Sequence, residues 1–283
     1  MDAHAEAAGL PDDADDLRGY YFKELIRKPL TQALVALAAI AAGVAGTAIF
    51  SPAIGAAAFA GGLLLALLIV FGIADSRSEE AFFNVYAHQR GMTASGKRPL
   101  HQATPLLRKG DDRYAERVLD GPLADGVEGL LALYTYEEQS TDSEGHTQTN
   151  YYRYTVGMTD VPECAGFVPE LYCQQKFGLR ALEKFEDMFR RSKERVKLES
   201  HELGERYEIF AGSGQDPNWL RQLFSPTFIV WLTDGAPDKF AFELVDGTLC
   251  CYVKGHRKST LELDRIRDAA ASVAIRLREE SLE

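Results

Sequence analysis

From position 29 to position 74 the chain has no Asp, Glu, Lys, Arg or His, a gap of 46 residues in a protein of 283. Outside that gap about 31% of positions are charged, high for a globular chain. An ordinary soluble protein does not combine the two, and a purely soluble chain is excluded. The missing charges also remove the usual mark of an ion path or proton relay inside a bilayer, which argues against a transporter or pump. A basic surplus is lacking as well. The formal net charge is -11, so no nucleic-acid partner is expected.

Cysteine is scarce. Cys164, Cys173, Cys250 and Cys251 form no C-x-x-C, and in a reducing compartment they should stay free thiols. Cys250 and Cys251 are adjacent on a candidate strand and so point to opposite faces, which favours packing over a zinc site even with His256 nearby. The phosphate-binding and nucleophile-elbow motifs G-x-x-x-x-G-K-[ST], G-x-G-x-x-G and G-x-S-x-G are all absent. His201-Glu202-Leu203-Gly204-Glu205 resembles half of a zincin motif, but the second His is missing and Gly204 sits where a helix is needed. His88, with Glu80 two turns upstream, reads as a surface residue rather than a general base. No catalytic, cofactor-binding or metal-binding residue is assigned, and no cofactor is expected.

What is present begins with the uncharged stretch itself. A ~30 Å hydrocarbon core takes roughly 20 helical residues. Leu30 to Phe50 and Ala53 to Ala74 each have that length, and Ser51-Pro52 breaks the helix between them. A transmembrane helical hairpin over 29–75 follows. The apolar run starts too late and runs too long for a cleaved signal peptide. Arg18, Lys23, Arg27 and Lys28 precede the first span, and Arg77, Arg90, Lys97 and Arg98 follow the second. The positive-inside rule then puts both termini in the cytoplasm of a multi-pass protein of a bacterial inner membrane. The pairs Ala39 and Gly43, Ala42 and Gly46, Ala57 and Gly61, and Ala58 and Gly62 are four apart. Such faces pack the spans on each other, and a second face would serve a homo-oligomer.

Residues 1–16, rich in Ala and Asp, read as a disordered acidic N-terminus. Residues 17–28 read as a juxtamembrane segment whose Lys23, Arg27 and Lys28 suit lipid head groups. Residues 76–283 are large enough for one sizeable cytosolic domain. The helix after the membrane should run to Arg90 and end at Gly91. Residues 104–121 are ambiguous between strand and helix. Val127 to Glu137 and Tyr151 to Met158 read as strands of a hairpin with the polar tip Gln139–Gln148. A third strand is placed near Phe167 to Gln174. A helix face follows at Leu179, Leu182, Phe185 and Phe189, then short strands at 195–200 and 206–211. Asp216-Pro217 and Ser225-Pro226 each start a short helix. Asp246-Gly247 joins a strand pair. Ser259 and Glu262 cap a last helix with the stripe Leu263, Ile266, Ala270, Val273 and Leu277. The fold class is α+β, with helices segregated on a largely antiparallel sheet.

Five of the twelve tyrosines, Tyr134, Tyr136, Tyr151, Tyr152 and Tyr154, gather on one hairpin. Cross-strand aromatic packing is the plain reading. The sharper one makes Tyr134, Tyr136, Tyr152 and Tyr154 a recognition face for a protein partner on the cytosolic side.

Leu106-Leu107-Arg-Lys-Gly110, Tyr134-Thr-Tyr136 with Tyr154-Thr-Val156, Val196 to Phe210, and Leu223-Phe-Ser-Pro-Thr-Phe228 resemble an uncharacterised bacterial membrane-protein family, a domain of unknown function. The resemblance covers about positions 76 to 255, and departs at Leu203, where members often carry an aromatic residue. It implies a two-span hairpin followed by one cytosolic α+β domain, and no activity. The expected function is a membrane-anchored cytosolic binding or scaffold domain. The alternatives are an enzyme with a site built from scattered residues such as His88 and His201, or an oligomeric membrane organiser.

Overall fold

The structure is a computed structural model, and it describes residues 13–141, 145–176 and 193–282. Residues 1–12 and the helix face at Leu179–Phe189 lie outside the described residues. The chain divides into two compact units, residues 1–89 with 258–260 and residues 90–257 with 261–283.

The first unit is helical. It contains α1 (Arg18–Arg27), α2 (Pro29–Ile49) and α3 (Pro52–Gln89). Pro29 and Pro52 stand in the first turns of α2 and α3, where a missing N–H costs nothing. Helix α3 continues unbroken for 38 residues, about 57 Å at 1.5 Å per residue. Helices α2 and α3 are both long and apolar enough to cross a membrane. They meet through small residues. A Cβ on Gly46 would stand 2.9 Å from Ala58 Cβ, and one on Gly62 2.8 Å from Ala42 Cβ. Gly61 faces away, with nothing within 4 Å.

One feature of this unit differs from the sequence reading. Residues 13–16 are ordered: the Asp13 carboxylate accepts from Asp15 N–H, Asp16 caps back on Asp13 N–H, and Ala14 N–H donates to the Lys258 carbonyl. The apolar side of α1 packs on α3. Tyr21 and Leu25 pack with Val70, Ala74, Ala81 and Val85 of α3, while Arg18 pairs with Asp75 at 2.5 Å and Lys28 with Glu24 at 2.7 Å.

Among the described residues, the second unit holds a nine-stranded, wholly antiparallel sheet. Its strands are β1 (Thr93–Ser95), β2 (Asp112–Ala124), β3 (Val127–Thr141), β4 (Thr147–Asp160), β5 (Glu170–Gln175), β6 (Lys193–Arg195), β7 (Tyr207–Gly212), β8 (Ala241–Val245) and β9 (Thr248–Lys254), in the order β1-β2-β3-β4-β9-β8-β5-β7-β6. Among the described residues, the α-helices of this unit are α4 (His201–Arg206), α5 (Pro217–Leu223), α6 (Pro226–Val230) and α7 (Thr260–Leu282).

Local chemistry accounts for many boundaries. Gly91 ends α3 with φ +66, as a C′ residue should. Asp246 (φ +47) and Gly247 (φ +80) are both left-handed, the two-residue turn that matches strand twist. Asp216 and Ser225 accept from backbone N–H groups at the starts of α5 and α6. The ambiguous 104–121 resolves into a 3-10 turn at Leu106–Arg108 followed by β2. The expected strand over 195–200 is cut short at Arg195, because Ser200 caps a helical turn at Leu203 N–H. Gly204 is therefore inside a short helix, which its open surroundings tolerate.

One sheet face carries α7. Its stripe Leu263, Ile266, Ala270, Val273 and Leu277 is fully buried, and Ala270 approaches β4 so closely that a Cβ on Gly157 would stand 2.9 Å from it. The other face carries Ala132, Tyr134, Tyr136, Val156, Cys250 and Tyr252, with Leu100, Leu106 and Leu107 packed over them.

Candidate binding site on the β3–β4 ribbon

Strands β3 and β4 pair over thirteen positions without a bulge, from Gly129↔Thr159 to Thr141↔Thr147. Side chains alternate between faces. Tyr134, Tyr136, Tyr152 and Tyr154 therefore share one face, paired directly as Tyr134↔Tyr154 and Tyr136↔Tyr152. Tyr136 stacks on Tyr152 at 4.8 Å and on Tyr154 at 5.9 Å between ring centres, and Tyr154 meets Tyr252 edge-on at 5.8 Å. Burial pushes the Tyr136 hydroxyl up, and a hydrogen bond to Tyr154 adds to it.

The four candidate tyrosines are not equally reachable. Tyr134 and Tyr136 are buried at 1% and 4% exposure, while Tyr152 and Tyr154 are half-buried. Tyr151 points to the opposite face and is 52% exposed. So Tyr134 and Tyr136 are the floor of the aromatic ladder, and Tyr151, Tyr152 and Tyr154 are the rings a partner would meet. Acidic groups flank them. Glu137 accepts from the Tyr114 hydroxyl at 3.0 Å, and Glu138 accepts from Tyr152.

Beneath the ladder lies a buried carboxyl that the sequence reading did not single out. Glu243 is fully enclosed on β8. It accepts from Leu106 N–H at 2.9 Å and from the Tyr252 hydroxyl at 3.4 Å. Burial raises its pKa, while the Leu106 N–H and nearby Lys109 act the other way. Burial also pulls Lys109 down to about 8, opposed by Glu243 and Glu138. The one signal in the sequence is an acid inside the apolar run Ala241-Phe-Glu-Leu-Val245. The crevice beside Glu243, lined by Tyr172, Gln174, Phe210, Phe242 and Tyr252, is too tight to admit a water molecule.

Thr135, His256 and Glu116 have the residue types of a nucleophile, a base and an orienting carboxylate. His256 Nε2 lies 3.2 Å from Thr135 Oγ1 and its Nδ1 3.8 Å from Glu116. Nε2 also lies 3.2 Å from the Tyr134 carbonyl, which accepts only, so Nε2 carries the proton. A protonated Nε2 cannot take the Thr135 proton. That hydroxyl is itself fully buried and donates to Glu116 at 3.0 Å. The cluster anchors the loop after β9, and Thr155 helps by accepting from Arg257 N–H at 2.7 Å.

The remaining sequence candidates do not converge. His88 is exposed on α3, and His201 is 89% exposed with Glu205 at 3.6 Å. All four cysteines are buried and free, and Cys250 and Cys251 lie on opposite faces. Among the described residues, no group of three or more His, Cys, Asp or Glu side chains is placed to hold a metal ion. In a groove of about 680 Å³ along Glu128, Asp160 and Arg278, the Arg278 guanidinium donates to the Gly126 and Asp160 carbonyls. No family model, no curated protein and no solved structure matches the chain.

Proposed function

We propose that the protein is a membrane-anchored binding module. Helices α2 and α3 hold it in a bacterial cytoplasmic membrane, both termini lie on the cytoplasmic side, and the β3–β4 ribbon is presented to a protein partner. The membrane half rests on one observation. In each of α2 and α3 only 11% of the most apolar window is buried, so Leu34, Leu37, Val44, Leu64, Leu65 and Leu68 point outward at 58–63% exposure. Water penalises that surface at roughly 25 cal/mol per Å², and a hydrocarbon solvent does not. Basic residues at both flanks support the orientation.

The binding half is carried by the ribbon. It joins exposed and half-buried tyrosines to carboxylates, and anchoring at a membrane raises the local concentration of any partner there. One observation favours a catalytic alternative, the buried Glu243 beside a lysine with a lowered pKa. The test is in-cell photocrosslinking from position 152, with a periplasm-active reporter fused after Glu283. The expected results are a captured protein and a silent reporter. If position 152 captures nothing while Lys109→Met abolishes the cellular phenotype, the catalytic reading replaces the binding one. A strong reporter signal overturns the orientation.

A further inference from the structure

We propose that the open edge of β4, Thr147 to Arg153, takes an extended, lysine- or arginine-rich segment of a partner protein as an added strand. This rests on the binding reading and names how the ribbon binds. Strand β9 pairs with β4 only along Tyr154–Asp160 and ends at Lys254, and Gly255 N–H then donates to the Arg153 carbonyl at 2.7 Å. In an antiparallel strand the N–H and C=O of one residue point to the same side. Arg153 therefore sets the parity, and the backbone groups of Tyr151, Thr149 and Thr147 turn to that same side. No described residue hydrogen-bonds to them there.

The other edge of the ribbon is treated differently. Asp111 N–H donates to the Glu137 carbonyl at 2.7 Å, and its carboxylate accepts from Gln139 N–H at 2.8 Å. The outermost strands of the sheet, β1 and β6, are only three residues each. Proteins blunt exposed edges with short strands, charges, prolines or bulges. From Thr147 to Tyr152 the chain has none of these, and Arg153 closes the open run with a single charge. A long strand left open beside capped and shortened ones is the geometry of strand addition.

Charge selects the occupant. Among the described residues beside the open run, Glu137 and Glu138 are acidic, and Arg153 ends the edge with an exposed cation. Glu137 and Glu138 stand on β3, two strand spacings or about 10 Å from an added strand, within reach of long basic side chains. Tyr152 on one face offers its ring to the stems and cations of such residues, while the Tyr151 ring on the other already carries the Arg153 guanidinium at 5.7 Å.

The test uses the full chain in detergent micelles with a labelled peptide of alternating Lys and Val, its N-methylated counterpart, and an alternating Glu and Val control. The Lys/Val peptide is expected to bind, to weaken with salt, and to slow amide exchange at Thr147, Thr149 and Tyr151. N-methylation should cost at least about tenfold in affinity, as should Thr149→Pro, whose lost N–H faces the open side and not β3. Should Thr149→Pro misfold, the N-methylated peptide probes the same backbone pairing on the unaltered protein. Equal affinity for both Lys/Val peptides overturns strand addition, as does failure of the Lys/Val peptide to bind, or exchange protection that appears without peptide as the chain dimerises. If any of these occurs while position 152 still captures a partner in cells, strand addition falls and the binding reading stands. If position 152 captures nothing, the binding reading itself falls.

Discussion

Helices α2 and α3 meet through Ala42, Gly46, Ala58 and Gly62, whereas the sheet domain is filled by Tyr134, Phe240, Phe242, Leu131 and Leu133. If α2 and α3 lie in a membrane, as proposed, the contrast follows from solvent. In water, area removed from contact drives packing, so large apolar side chains do most per residue. Among lipid tails an exposed Leu is as content as a buried one, and association depends on close backbone approach, which small residues permit. The same reasoning explains why Leu64 and Leu65 point outward in one unit while Leu131 and Leu133 are 1% exposed in the other.

Truncating a large side chain tests this contrast most severely. Tyr134→Ala should destabilise the sheet domain by about 3–5 kcal/mol, since Tyr134 is 1% exposed and its ring packs in the central cluster. Leu64→Ala, also the truncation of a large side chain but at a position 60% exposed, should leave helix packing unchanged. Thermal melting in detergent, followed by near-ultraviolet dichroism for the tyrosines, distinguishes the two. Equal losses would remove the distinction between the units.

A smaller effect is expected from enlarging a glycine. Gly62→Leu would drive a side chain into Ala42 and should cost about 1–3 kcal/mol of hairpin packing, while Gly61→Leu, with nothing within 4 Å, should be silent. Cysteines placed at Val35 and Val70, which share one apolar cluster, report the packing by crosslinking yield. The yield should drop severalfold for the first variant only. Equal yields would mean that the helices do not depend on the Gly62 contact.

Legibility in the sequence followed the range of the interaction. The Asp246-Gly247 turn, the caps at Asp216 and Ser225, the stop at Gly91 and the α7 stripe all depend on neighbours within a few residues, and each stands where its residues predict. The site depends on long-range contacts. Alternation places Tyr134 and Tyr136 on one face, but only the distant segment Leu100–Leu107 decides that they are covered. Glu243 accepts from Leu106, 137 positions away. The open edge of β4 exists because β9, a strand far along the chain, ends first at Lys254. Hydrophobic period carries no information on which partner strand runs out.

The mildest prediction concerns Glu243, the buried acid of the tyrosine face, and it returns to the contrast between the units, since α2 carries no ionisable group at all. Burial raises its folded-state pKa above the ordinary 4.5, so the folded chain keeps a proton that the unfolded chain releases. The stability Glu243 contributes is fully present below about pH 4.5 and is lost as pH rises through the folded value. Lys109 acts in a separate window. Its value falls from 10.5 to about 8, so the penalty on its charge is relieved as pH rises between the two. Glu243→Gln keeps a carbonyl for the Leu106 N–H and removes the titration. The melting temperature of the variant should therefore match the parent near pH 4 and exceed it by a margin that grows as pH rises until the folded value is passed. The comparison uses the full chain in detergent at several pH values. Parallel curves for the two proteins would show that Glu243 keeps its charge when folded, with Lys109 and the Leu106 N–H outweighing burial.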